Sequence, residues 1–264
     1  MPSTLKFHNL VAVTDCHSPF FSPPCARVHA ALVAKQVPFD LVEVTYHDLR
    51  SQHWRGKLGV HKATAPFLER EDGTFIMDSF AIAKWLDEAY PDRSSLFLPD
   101  APVPVDVKSD AYLTALERYQ AFEKTCGAGL GPDFKLFAPI LIRTFDPKTA
   151  AYWSSDARLG DGVWASVCAA TEEDKVDSAK AVQRFLYQLS SERFVDGRLF
   201  LSSTSKPGME DLFLFSHFRL LRAVSASLAA ELFETPSSGS CSAWLERMHG
   251  LYPLEEARAR DPMV

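Results

Sequence analysis

A change in the period of the apolar residues constrains this chain more than any other feature. As far as Tyr90, short alternating or β-branched runs trade places with helical spacing; beyond Val107 only helical spacing remains. Leu10–Thr14 (LVAVT) reads as a buried strand ended by the turn-prone stretch 15–24. Val28, Ala31, Leu32 and Lys35 then fall three or four apart, giving a helix that Pro38 stops. Phe39–Val44 alternates and gives a second strand, parallel to the first because a helix joins them. Residues 48–62 are polar and irregular, with room for one short helix. Ala65–Leu68 and Thr74–Met77 read as two strands joined at Asp72-Gly73, a hairpin signal. From Ser79 the period is helical again (Phe80, Ile82, Ala83, Leu86, Tyr90) and closes at Pro91.

The order β-α-β-(α)-β-β-α is that of a thioredoxin-like unit, assigned to residues 1–92. Residues 93–108 read as a linker, since the stretch from Pro91 to Val107 holds four of the seventeen prolines and no period. Residues 109–264 read as an all-helical domain. The apolar spacing in 109–126, 175–189 and 209–232 marks its helices, and Asp146-Pro147 marks a helix start. The fold class is therefore α/β followed by all-α.

Composition narrows the partners. A net charge of −6 disfavours nucleic acid, whose phosphates would be repelled. No apolar run approaches the roughly 20 residues that span a bilayer, and the first fifteen residues do not read as a signal peptide. Five widely spaced cysteines give neither a disulfide framework nor a zinc site, so no metal is expected and the setting reads as reducing and cytoplasmic.

Three segments together resemble the glutathione transferase superfamily. Ser22-Pro23-Pro24-Cys25-Ala26-Arg27-Val28 is similar to the family's serine or cysteine at the start of the first helix. Thr64-Ala65-Pro66-Phe67-Leu68 is similar to its strand entered through a cis-proline. Asp78-Ser79, followed by Ile82-Ala83-Lys84-Trp85-Leu86, resembles the stretch that grips the γ-glutamyl end of glutathione. Phe145-Asp146-Pro147-Lys148-Thr149-Ala150-Ala151-Tyr152-Trp153 looks like an element of the fungal FuA class, which is similar to β-aryl-ether-cleaving enzymes. One departure stands out: the family usually has Ser or Thr as the helix cap before the buried Asp of the second domain, and here Gly208 precedes Asp211.

The resemblance implies an enzyme that adds glutathione, its co-substrate, to electrophilic, aromatic small molecules, with etherase-like displacement as a variant. A biosynthetic tailoring enzyme and a ligandin-type binder of hydrophobic aromatics are the alternatives, and family members are often homodimers. Making a thiolate at neutral pH requires stabilising the charged sulfur, which a hydroxyl donor and a helix N-terminus both do. Ser22 is placed for both effects, although it equally suits the N-cap of the helix that Pro23-Pro24 opens; Ser18 is the next candidate. With Ser22 in the first slot of a Cys-x-x-Cys spacing, Cys25 reads as a buried apolar residue. The resemblance assigns glutathione contacts to Ala65, Pro66, Asp78 and Ser79. His61 and Lys62 suit either the glycyl carboxylate or solvent. Phe20, Phe21, Tyr112 and Tyr119, with Phe122, are candidates for the apolar co-substrate pocket.

Overall fold

The computed structural model describes residues 5–12, 21–235, 239 and 241–252. Strands β1 (Leu5–Leu10), β2 (Phe39–Val44), β3 (Phe67–Glu69) and β4 (Phe75–Met77) form one mixed sheet in the order β2-β1-β3-β4. β1 runs parallel to β2, from Leu5 opposite Phe39 to Leu10 opposite Val44, and antiparallel to β3, with Phe7 opposite Leu68. The first strand therefore begins and ends earlier than the LVAVT run suggests. Only Val11 continues the pairing, its amide donating to the Val44 carbonyl at 2.9 Å, while Val13 and Thr14 lie outside the described residues. Two polar letters hid the strand. His8 and Asn9 are buried within it, His8 stacked on Phe67 at 4.1 Å between ring centroids.

Helix α1 (Pro23–Ala34) connects β1 to β2, and the chain turns after it through Gln36 at φ 51°. The polar stretch between β2 and β3 holds two short helices where one was expected. These are α2 (Tyr46–Arg50), started by a reciprocal Thr45/Asp48 capping box, and α3 (Gln52–Leu58), capped by Ser51. The hairpin between β3 and β4 turns at Asp72-Gly73, where Gly73 takes φ 78° and Asp72 accepts from the Thr74 amide at 2.9 Å. α4 (Ser79–Ala89) closes this part of the chain. Among the described residues no strand follows β4.

The remaining helices are α5 (Asp110–Leu130), α6 (Phe134–Leu141), α7 (Pro147–Trp153), α8 (Asp156–Leu159), α9 (Val163–Cys168), α10 (Glu172–Arg193), α11 (Met209–Val224), α12 (Ala226–Phe233) and α13 (Cys241–Leu251). The single helical pattern read over 209–232 is two helices. The chain leaves α11 at Ser225 in extended conformation, and that hydroxyl caps α12 by accepting from the Leu228 amide. α11 is the axis of the helical part. Leu214, Phe215, Phe218 and Leu221 are fully buried, and the helix packs on α1, which ties the two parts together. Arg27 of α1 adds a polar tie, donating to the Tyr119 hydroxyl at 2.6 Å and to Glu123 of α5 at 2.7 Å. No helix among the described residues is long and apolar enough to cross a membrane.

The proline-rich stretch after α4 has no regular structure, yet it is fastened. Asp87 is wholly buried and accepts from the Ser95 hydroxyl at 2.7 Å, the Leu96 amide at 2.9 Å and the Tyr112 hydroxyl at 3.2 Å. It also pairs with the equally buried Lys35 of α1 at 2.7 Å. One carboxylate thus joins α1, α4, the connecting stretch and α5.

Candidate functional site

A cavity of about 800 Å³ opens between the sheet-bearing part and the helical part. Ser22 lies on its wall at the start of α1. Pro23 and Pro24 fill the first two helical positions, where a missing amide proton costs nothing, but they remove two of the donors that a helix start presents. The Ser22 hydroxyl makes no capping bond to its own helix. It is hydrogen-bonded instead to the Cys25 thiol, whose sulfur also receives the Leu10 amide at 3.4 Å. Burial pushes the Cys25 thiol up to about 11, which the bonds from Ser22 and Leu10 only partly offset. Cys25 is therefore a neutral thiol at physiological pH and no nucleophile, as expected for a buried cysteine. As a thiol it can donate to the serine oxygen, which leaves the serine proton free to donate elsewhere.

The structure brings Phe21, Ser22, His61, Lys62 and Ala65 together on this cavity. Phe21 packs edge-on against Phe145 at 5.8 Å, just before α7. The Ala65–Pro66 bond is cis. Asp78 and Ser79 are not on the wall. They follow Met77, whose sulfur accepts from the amide of the cavity residue Thr64 at 3.5 Å, and the Asp78 side chain is exposed. Asp78 is held at φ 88° and caps α4, its carboxylate accepting from the amides of Phe80 and Ala81 at 2.9 and 3.0 Å.

Tyr112 and Tyr119 are not cavity residues. Tyr112 is wholly buried on Asp87, and the Tyr119 hydroxyl is buried on Arg27, so both phenols are spent on joining the two parts. Burial pushes both phenols above the usual range, with the neighbouring Asp87 adding to the effect at Tyr112. Phe122 is buried against Phe213 of α11. Aromatic residues at helical spacing here are core, not pocket. Phe20 and the alternative Ser18 lie outside the described residues, as do Cys16 and His17.

Other residues complete the wall, and sequence reasoning did not single them out. Tyr46 and Arg50 come from α2, Arg55 from α3, Arg158 from α8 and His217 from α11, where His217 Nε2 is hydrogen-bonded to the buried carboxylate of Asp133. The Arg50 guanidinium lies 4.5 Å over the Tyr152 ring, and that of Arg158 lies 4.5 Å over Trp153. Burial raises the Tyr46 phenol above its usual range, while Arg158 and a hydrogen bond from Trp153 pull the other way. The FuA-like segment around Asp146-Pro147 carried a usable signal, because it delivers Tyr152 and Trp153. Nothing local marks Arg158 or His217, which enter from separate helices.

No aspartate or glutamate is among the described residues lining the cavity, although the protein as a whole carries −6. Such a site suits a thiol-bearing peptide with carboxylate ends: cations for the carboxylates, a hydroxyl donor for the sulfur, and apolar rings beside it.

Residues 16–94 match the family model described as glutathione S-transferase, N-terminal domain. Solved structures align over nearly the whole chain. A glutathione S-transferase of Ceriporiopsis subvermispora, solved in complex with glutathione, covers 96% of this chain and 99% of its own at 19% identity and a TM-score of 0.74. The fold is that of a glutathione transferase. GSTFuA3 and GSTFuA2 of Phanerochaete chrysosporium share this glutathione transferase fold, at 19% and 20% identity and TM-scores of 0.63 and 0.62. They cover 98% and 97% of this chain and 95% and 94% of their own. The likeness is one of fold and is not confined to the FuA class: a Tau class glutathione S-transferase of mango aligns over 99% of this chain and 95% of its own at 17% identity and a TM-score of 0.63. No curated protein matches the chain by sequence.

Proposed function

We propose that this protein is a glutathione transferase, joining the sulfur of glutathione to an electrophilic, aromatic small molecule. The reading rests above all on one observation: the Ser22 hydroxyl, making no capping bond to α1, stands on the wall of a cavity lined by cations and without carboxylates. The related structure solved with glutathione supports the choice of tripeptide.

In this reading Ser22 donates its hydrogen bond to the glutathione sulfur and favours the thiolate. The thiol proton leaves to solvent before attack. The sulfur–carbon bond then forms as the leaving group departs with its electron pair, an aryloxide in the etherase-like variant. Ala65 presents its backbone to the cysteinyl part, and Pro66 shapes the entry to β3. His61 and Lys62 meet the glycyl carboxylate. Ser79 at the start of α4 receives the γ-glutamyl carboxylate, where helix amides favour an anion, and Asp78 receives the ammonium. Phe21, Tyr152 and Trp153 form the apolar side for the second substrate.

Ser22→Ala tests this directly. A hydrogen bond to a charged group is worth about 1.5–3 kcal/mol, or roughly one to two units in the pKa of the bound thiol. We expect the ultraviolet thiolate titration of bound glutathione to move up by that amount. Turnover of a generic aryl halide should fall about tenfold or more, while retention on glutathione-agarose persists. An unmoved titration together with an unchanged rate would remove Ser22 from the chemistry.

A further inference from the structure

We propose that the second substrate carries a carboxylate, and that Arg50 and Arg158 receive it where α2 faces α7, beside Tyr152 and Trp153. The inference rests on the transferase reading above and names its substrate class.

The first argument is a count of charges. Arg50, Arg55, Lys62 and Arg158 line the cavity, and none of them is in an ion pair among the described residues. Glutathione brings two carboxylates. One is assigned to the stretch 61–62 and the other to Ser79, so Arg50, Arg55 and Arg158 are left without an anion from the tripeptide; Asp146, near enough to Arg50 to feel its charge, is exposed and occupied in capping α7. Tyr46, their neighbour, does not supply one, because burial keeps its phenol protonated.

The second argument is the state of Arg50. Its Nε donates to the Tyr46 carbonyl at 3.2 Å, but its Nη2 is buried and has no hydrogen-bond partner. Buried donors are almost always satisfied, and an orphan on a cavity wall is explained if the occupant brings the acceptor.

The third argument is orientation. A guanidinium laid over an aromatic ring is fixed in plane, and its edge then presents a preformed fork to a carboxylate. Arg50 on Tyr152 and Arg158 on Trp153 are held in this way from two different helices. The apolar residues Phe134, Phe137 and Leu141 of α6 continue the wall for the rest of an aromatic substrate.

The test compares a chlorodinitrobenzoate with its methyl ester, each rate with glutathione divided by the uncatalysed rate under the same conditions. We expect kcat/KM to favour the free acid about tenfold, the scale of one charge-assisted hydrogen bond. That preference should shrink as salt is added. It should collapse towards parity in Arg158→Met and Arg50→Met, and return only in part in Arg158→Lys, which keeps the charge but loses the stacked fork. Equal use of acid and ester by the unaltered protein overturns the proposal. So does a rise in the KM for glutathione in the methionine variants with the acid-to-ester ratio untouched, since the arginines would then hold the tripeptide. Failure of both compounds, with no retention on glutathione-agarose, would bring down the transferase reading itself, and this inference with it.

Discussion

Gly208 occupies a helix start where the local rule favours a hydroxyl, and the structure explains why it gives way. Its amide donates to Asp211 at 3.0 Å, so the reciprocal half of a capping arrangement is kept. A Cβ on Gly208, however, would stand 2.9 Å from the Leu96 carbonyl oxygen and 2.9 Å from the Ser202 side chain. The carbonyl has little freedom to move, because it also accepts from the Met209 amide at 2.7 Å. Asp211 also accepts from the Leu201 amide at 2.7 Å and from the Trp244 ring nitrogen at 2.9 Å, which fastens the preceding stretch and α13 to this helix start. Gly208→Ser, a stabilising change by the capping rule, should therefore destabilise by about 1–3 kcal/mol through overpacking. Thermal unfolding of the two proteins checks the sign. A variant with an equal or higher midpoint would show that the connecting stretch yields at Leu96.

At the scale of elements, the most consequential group is the Lys35–Asp87 pair. Both side chains are fully buried, and their hydrogen bonds join two helices to the connecting stretch and to α5. Removing one partner of a buried pair strands the other charge and costs about 3–5 kcal/mol. Asp87→Ala should lower stability to urea by that amount. Asp87→Ala combined with Lys35→Met should cost much less than the sum of the two single changes; strict additivity would mean the pair is not coupled. Lys35 fell on the apolar spacing of α1, but nothing local marked Asp87, 52 positions on, as buried or as its partner. The elements that were legible are those set by local chemistry: Phe39–Val44 by alternation, the Asp72-Gly73 hairpin by its turn residues, α1 and α7 by proline at the first turn. The first strand was misplaced because His8 and Asn9 are polar residues buried for tertiary reasons. Tyr112 and Tyr119 looked like pocket residues because helical spacing shows which face is buried but not what buries it.

For the molecule as a whole, the cavity was half legible. The stretches 21–24 and 61–66 could be found because each is a local motif, while Arg50, Arg158 and His217 meet only through the packing of α2, α8 and α11. The same tertiary burial sets how stability responds to acid, and His8 is the clearest case. It is 2% exposed, stacked on Phe67 and edge-on to Trp54, with its Nε2 3.6 Å from Glu69 and so beyond hydrogen-bond length. Burial lowers its pKa from 6.5 to about 4, outweighing the pull of Glu69. Between those values the unfolded chain binds a proton that the folded one refuses, so stability rises with pH across the window and is lost as pH falls through it. The full loss amounts to about 3 kcal/mol, at 1.36 kcal/mol per unit. His8→Phe keeps a flat ring against Phe67 and removes the titration. Its urea stability should therefore decline less than that of the unaltered protein between pH 6.5 and 4. Carboxylates such as Asp100, held below their usual range by bonds from Thr204 and Ser205 even against some burial, lose stability in the same direction in both proteins. The difference between the two slopes thus isolates the histidine, and parallel slopes would show that His8 already carries its proton in the fold.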